Sequence, residues 1–385
     1  MNSSGRLVLG VVIIVAVLAG VYAFMQSPQT ANGPTAAPPQ PAQPITIGFI
    51  GPLTGDAAAI GQNAKAAVEL AVEEVNKAGG VAGRTLSVIY EDGQCTGKVA
   101  SNAANKLINA DNVPVILGGL CSGETASFAG AAEQAKRVVL SYCSSAPSIT
   151  QAGDYIFRDY PSDLFQGAFG AKYVYEKLGK KKVAIVYVKS DWGSGIRQVF
   201  ADEFKKLGGT IVAEEGYEQV ARDLRTQLTK VKAAKPDLVY FLGYTEGSIV
   251  GVKQAAELKL GVPLFGADGW DDPKIWSGAG AAGEGAMYTV VSAPLNDAFR
   301  VALKAKVGSD EVGLCSPQAY DGLKILAQVM GKVGTDATAI KDELYKTEYA
   351  GGVSAAKVAF DKNGDPIEAN YAVKAVKDGK AMEAK

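Results

Sequence analysis

From Ile45 onward, short continuous apolar runs alternate with stretches in which apolar residues recur every three or four positions. That alternation predicts strands alternating with amphipathic helices. The spacing predicts strands over Ile45–Ile50, Thr85–Tyr90, Val113–Leu117 and Val138–Ser141. Helices are expected over about Gln62–Lys77, Lys98–Ala110 and Thr125–Lys136, the first with a stripe of Val68, Leu70, Ala71 and Val75 and a stop at Gly79-Gly80. After Tyr160-Pro161 the rhythm restarts, with strands over Val183–Val188, Thr210–Tyr217, Leu238–Leu242, Pro263–Phe265 and Ala286–Val291. Helices near Asp163–Leu178, Ser194–Leu207, Leu224–Ala234 and Gly247–Leu258 separate them. The strands are unbroken apolar runs, as in parallel sheets covered on both faces. The count gives an α/β protein with two doubly wound parallel-sheet lobes. Three further helices follow (Asn296–Val307, Ser316–Val333, Thr338–Tyr345), then a hairpin expected around Lys362-Asn363-Gly364.

The start of the chain is different. Arg6 is the only charge before the apolar run Leu7–Phe24, whose eighteen residues lie between a secretory signal core and a minimal membrane span. Residues 1–26 therefore read as a cleaved signal peptide or a retained N-terminal anchor. No cysteine follows the run, so a lipid-anchored processing site is not expected. Residues 27–44 carry six prolines and form a linker that can neither continue a helix nor build a core.

Composition narrows the chemistry. Of 385 residues 48% are hydrophobic and 21% charged, ordinary for a soluble domain with a large core, and the net charge of −1 offers no pull toward nucleic acid. Histidine is absent, which removes Ser-His-Asp and Cys-His nucleophiles and His-containing metal sites. Asp92–Lys98 superficially resembles a phosphate-binding loop. Only three residues separate Gly93 from Gly97, however, and Val99 stands where Ser or Thr is required. No metal-ligand spacing or cofactor fingerprint is present, so neither metal nor cofactor is expected.

The polar residues that follow strands are more informative, because doubly wound sheets bind ligands at the carboxyl ends of their strands. Leu120-Cys121-Ser122-Gly123 leaves one strand and enters a helix, offering first-turn amides and a hydroxyl to an anion; Ser122 also reads as an ordinary helix cap. Tyr142-Cys143-Ser144-Ser145 is a second such turn. In the second lobe Asp191-Trp192, Gly243-Tyr244 and Ala267-Asp268 also follow strands. Asp268 suits a ligand ammonium or a local cap, and Trp192 and Tyr244 suit a pocket wall or packing between lobes. The four cysteines, Cys95, Cys121, Cys143 and Cys315, allow three pairings in an exported protein.

Taken in order, these segments resemble the leucine/isoleucine/valine-binding proteins of bacterial ABC transporters, periplasmic substrate-binding proteins of the type I fold. The resemblance rests on Gly51-Pro52-Leu53-Thr54-Gly55, Glu74-Val75-Asn76-Lys77-Ala78-Gly79-Gly80, Glu91-Asp92-Gly93-Gln94-Cys95, Gly119-Leu120-Cys121-Ser122 and Ser145-Ala146-Pro147. It covers the chain from Ile45 to its end. It implies two lobes joined by three crossover segments, near Tyr160–Asp163, Val291–Pro294 and Gly351–Ser354. Lobe 1 would then hold 45–160 completed by 294–350, and lobe 2 would hold 161–293 completed by 351–385. A small amino acid would be captured as the lobes close, with no chemistry done on it. Ser122 and Ser145 would hold its carboxylate, with the backbone carbonyl of Cys143 on the same turn. Asp268, one methylene shorter than the family's usual Glu, would meet the ammonium; Trp192 and Tyr244 would cover it; Leu120, Ile60 and Cys315 would shape the pocket. The resemblance also implies a Cys95–Cys121 disulfide and leaves Cys143 and Cys315 either paired or reduced. Expected partners are a permease and an ATPase, with the chain a monomer in the periplasm or another extracytoplasmic space. Binding proteins for amides, urea or aromatic acids, and a ligand-sensing domain of a signalling complex, are the alternatives.

Overall fold

The computed structural model describes residues 43–309 and 312–384. The signal or anchor expected over 1–26, and all but the last two residues of the linker, lie outside the described residues. In chain order the first part runs β1 (Ile45–Gly51), α1 (Ala58–Lys77), β2 (Leu86–Asp92), α2 (Gly97–Asn109), β3 (Val115–Gly118), α3 (Ser122–Gln134), β4 (Val138–Ser141) and β5 (Ile156–Arg158). Its five strands form one parallel sheet in the order β2-β1-β3-β4-β5. Every residue of β3 and β4 is buried, because helices cover both faces.

The second part continues with α4 (Asp163–Lys172) and its π-helical extension Tyr173–Lys177, then β6 (Lys182–Val188), α5 (Asp191–Lys206), β7 (Thr210–Tyr217) and α6 (Arg225–Ala233). Next come β8 (Leu238–Leu242), α7 (Thr245–Glu257), β9 (Leu264–Gly266), α8 (Pro273–Ala279) and β10 (Met287–Val291). The chain then forms α9 (Asp297–Val307), α10 (Ser316–Val333), α11 (Ala337–Leu344), a small ribbon of β11 (Glu348–Ala350) and β12 (Lys357–Ala359), and finally β13 (Tyr371–Lys377) and β14 (Lys380–Glu383). The second sheet has the order β14-β13-β10-β9-β8-β6-β7. Its β6 to β10 strands run parallel, while β13 and β14 add an antiparallel edge.

Helices α9 and α10 return to the first lobe and pack along α1. There Glu74 of α1 accepts from Tyr320 Oη (2.5 Å) and Lys324 Nζ (2.6 Å) of α10. The chain passes between lobes at 159–162, between β5 and α4, and at 292–296, between β10 and α9. The third passage falls later than Gly351–Ser354. Ser354 N and Oγ are held by Asp321 of α10 (2.7 and 2.5 Å), and Asp365 is clamped by Arg158 of β5 (2.6 and 2.8 Å). These bonds keep 351–365 against the first lobe. Only at 366–370 does the chain cross, where Asn370 O accepts from Ser292 N (2.8 Å). The hairpin expected at Lys362-Asn363-Gly364 is likewise a local turn closed by Asp361, whose Oδ1 accepts from Asn363 N (2.7 Å) and Asp365 N (3.0 Å). It carries a single bridge, Phe360 to Pro366. The terminal hairpin is β13–β14, turned by Asp378-Gly379 at φ of 52° and 72°, the left-handed pair that a two-residue hairpin needs.

Candidate ligand site between the lobes

Two turns at the carboxyl end of the first sheet build one wall. The turn after β3 is fixed by Glu124 of α3, a fully buried carboxylate that accepts from Cys95 N (2.9 Å), Leu120 N (3.0 Å) and Cys121 N (3.0 Å). Burial pushes its pKa up to about 7 against the pull of those three amides. A disulfide between Cys95 and Cys121 ties the same two segments covalently. At the start of α3, Cys121 N is taken by Glu124 and Glu124 N donates to Cys121 O (2.9 Å), which leaves the amides of Ser122 and Gly123 toward the cleft. Ser122 Oγ accepts from Ala146 N (3.1 Å), which leaves its own hydrogen to donate.

The turn after β4 is knitted to its neighbour by hydroxyls. Ser141 Oγ donates to Gly119 O (2.7 Å), Ser144 Oγ lies 2.8 Å from Thr125 Oγ1, and Ser144 N donates to Ser141 Oγ (2.9 Å). Beneath it the buried Arg158 guanidinium donates to Ser144 O (3.2 Å) and Ala146 O (3.0 Å). Ser145 Oγ donates to Asp163 Oδ2 (3.0 Å), so its lone pairs rather than its hydrogen remain available. Cys143 is bonded to Cys315.

The second lobe supplies the opposite wall. Asp268 opens a short 3-10 turn after β9 and is held from three sides. Tyr160 Oη donates to its Oδ2 (2.7 Å) and Gly269 N to its Oδ1 (3.0 Å). The Gln166 amide, turned to satisfy its neighbours, donates to Oδ2 (3.3 Å) and accepts from Asp268 N (3.0 Å). Burial raises the Asp268 carboxyl to about 6. Asp163, buried beside it, stands well above the usual carboxylate range through burial first and the charge of Asp268 second. Trp192, in the first turn of α5, and Tyr244, just before α7, stack with ring centroids 5.0 Å apart at 30°. Gly269 has to be glycine here, since a Cβ would come within 2.8 Å of both the Trp192 ring and Gly243 O.

Ile60, Leu120, Ser122, Cys143, Ser145, Trp192, Tyr244 and Asp268 line one enclosure, together with Cys121, Gly269 and Leu314. Cys315, bonded to Cys143, lines a neighbouring cavity of about 300 Å3, and Leu314 takes the wall beside the cleft. Sequence reading also missed Tyr160, Asp163, Gln166 and Arg158, which orient the wall residues. The enclosure measures about 20 Å3, room for about one water. A ligand larger than a water molecule would fit only if the lobes parted or the aromatic pair moved. Arg222 of the second lobe pairs with Asp56 of the first at the rim, an ion pair that such parting would break.

Comparison with known proteins agrees with this architecture. The family model described as periplasmic binding protein matches residues 44–380. The leucine-, isoleucine-, valine-, threonine- and alanine-binding protein of Pseudomonas aeruginosa is 30% identical over 330 residues, covering 84% of this chain and 87% of its own. Among solved structures, a leucine binding protein of Thermotoga maritima superposes with a TM-score of 0.82 at 27% identity, covering 89% of this chain and 98% of its own. The branched-chain amino acid transporter substrate binding protein of Streptococcus pneumoniae, solved with isoleucine, gives 0.79 at 27% identity over 89% of this chain and all of its own (100%). The match spans nearly every described residue and both sheets, and the chain belongs to the periplasmic binding protein family.

Proposed function

We propose that this chain is the substrate-binding component of an ABC importer and captures a small amino acid between its two lobes. The observation that carries the reading is the pairing across one enclosure of a buried carboxylate, Asp268, with a hydroxyl and open helix-start amides at Ser122. An α-amino acid has the complementary pair of charges. Ser122 and the first turn of α3 hold the carboxylate, where the helix dipole favours an anion. Asp268 takes the ammonium, and Ser145 Oγ, its hydrogen already given to Asp163, accepts from the same group. Exclusion of water by Trp192 and Tyr244 strengthens these charge-assisted bonds. The names of the Pseudomonas and Thermotoga relatives, and the isoleucine in the Streptococcus structure, favour branched-chain or smaller side chains.

In this reading the protein is no enzyme; it works as an extracytoplasmic monomer and delivers its ligand to a permease and ATPase. Residues 1–26 export it and are then either removed or kept as a tether. The test is titration calorimetry with an L-amino acid on the wild type and on Asp268→Ala. Truncating one partner of a buried charge pair costs about 2–5 kcal/mol, so affinity falls by at least about 30-fold. Unchanged affinity in a folded variant removes Asp268 from the site.

A further inference from the structure

Two hollows meet at Leu314. The enclosure that holds Ser122 and Asp268 lies on one side of it, and the neighbouring cavity of about 300 Å3 lies on the other. Among the described residues Leu314 is the one that lines both. Beside it runs the bond from Cys143, which lines the first hollow, to Cys315, which lines the second. Ile60 and Leu120, the other aliphatic walls of the enclosure, do not border the larger cavity.

The segment that carries Leu314 is pinned. Gly313 lies so close to α1 that a Cβ there would come within 2.6 Å of Asn63 Nδ2 and 2.8 Å of Asn63 Cβ. Gly313 O accepts from Ser316 N (3.1 Å) and Cys315 O from Ala319 N (2.9 Å), so the segment enters α10 without slack. Cys315 takes a left-handed backbone, with φ of 61°, and its side chain is tied to the turn after β4. That same turn meets Ser122 through Ala146 N (3.1 Å). Leu314 and Ser122 therefore belong to one lobe, and the distance between them is set within it, whatever the angle between the lobes.

We propose that Leu314 limits the length of amino-acid side chain the site accepts, by closing the enclosure off from the cavity behind it. The inference rests on the amino-acid reading above. With the carboxylate at Ser122 and the ammonium at Asp268, the ligand's side chain is left to Ile60, Leu120 and Leu314. Leu314 is 8% exposed and has open volume at its back, so its truncation joins two existing spaces. Side chains no longer than that of leucine stop at this wall. The ring of phenylalanine needs the space beyond, where the half-buried Val291, Leu295 and Val312 supply apolar surface.

The test is titration calorimetry of L-alanine, L-leucine and L-phenylalanine on the wild type, Leu314→Ala and Leu314→Phe. The readout is the ratio of affinities, because a merely structural defect weakens every ligand alike. The wild type is expected to prefer leucine to phenylalanine. In Leu314→Ala the phenylalanine-to-leucine ratio rises by at least about tenfold, the scale on which one methylene discriminates in an apolar pocket. In Leu314→Phe the leucine-to-alanine ratio falls by about the same factor. Either variant decides if the other does not fold. Unchanged ratios in a folded variant, or a wild type that holds phenylalanine as tightly as leucine, overturn the proposal and leave the amino-acid reading standing. A wild type that binds none of the three overturns both.

Discussion

Asp268 is the residue on which the cleft turns. Its ordinary carboxyl value of 3.8 rises to about 6, because burial penalises the charged form more than Tyr160, Gly269 and Gln166 recover by hydrogen bonding. In the proposed complex the ligand ammonium meets the ionised form. Below about pH 6 the unliganded protein holds a proton there that binding has to expel, so affinity falls as the solution is acidified and is retained above. The expected slope approaches tenfold per pH unit below the inflection. Calorimetric affinities between about pH 4.5 and 8 check it, and a flat profile contradicts it. Ser122, Ser145 and Asp268, which line one pocket, stood out in the sequence because each follows a strand, where a doubly wound sheet opens, and because the family resemblance pointed to them. Tyr160 and Asp163 were not: Tyr160 reaches Asp268 across 108 positions of the chain, and no local pattern encodes such a contact.

Among the elements, β5 shows how a short segment can decide a topology. It has three residues, too few to announce a strand, yet it carries Arg158. That guanidinium is fully buried, grips Asp365 with two nitrogens, and braces the turn that presents Ser145 through Ser144 O and Ala146 O. One side chain thus sets both the third passage and the first-lobe wall of the cleft. The longer elements were readable from periodicity alone, since α1, α5 and α10 bury regular apolar stripes. The third passage, put at Gly351–Ser354 by the family resemblance, falls later here because the Arg158–Asp365 tie, spanning 207 positions, keeps the segment beside β5. Arg158→Met leaves Asp365 with no cation and the turn carbonyls with no donor. The expected loss is about 3–5 kcal/mol in urea unfolding, with amino-acid affinity reduced as well. A variant as stable as the wild type would show that the buried pair does not hold the passage.

At the scale of the molecule, the two sheets present their strand ends to one another, and the walls of the cleft belong to different lobes. Histidine is absent from the chain, and the buried acids between the lobes meet hydroxyls and amides. Arg222 pairs with Asp56 across the two lobes, and Trp192 and Tyr244 stack beside the pocket. What was legible at this scale was the class and the two-lobed layout, because unbroken apolar strands and restarting βα rhythm are properties of the whole chain. The volume left between the walls was not, since it depends on how Leu314 and the Cys143–Cys315 bond settle against the cleft.

The central claim is that both charged ends of an α-amino acid are recognised at once. Thermal unfolding with L-leucine, L-valine and L-alanine, each beside the same acid lacking its amino group, tests it most directly. The account predicts a rise of about 5 °C for at least one amino acid at roughly a hundredfold excess over its dissociation constant, and none for its deaminated partner. Equal stabilisation by both members of a pair, or none by any amino acid, would contradict it.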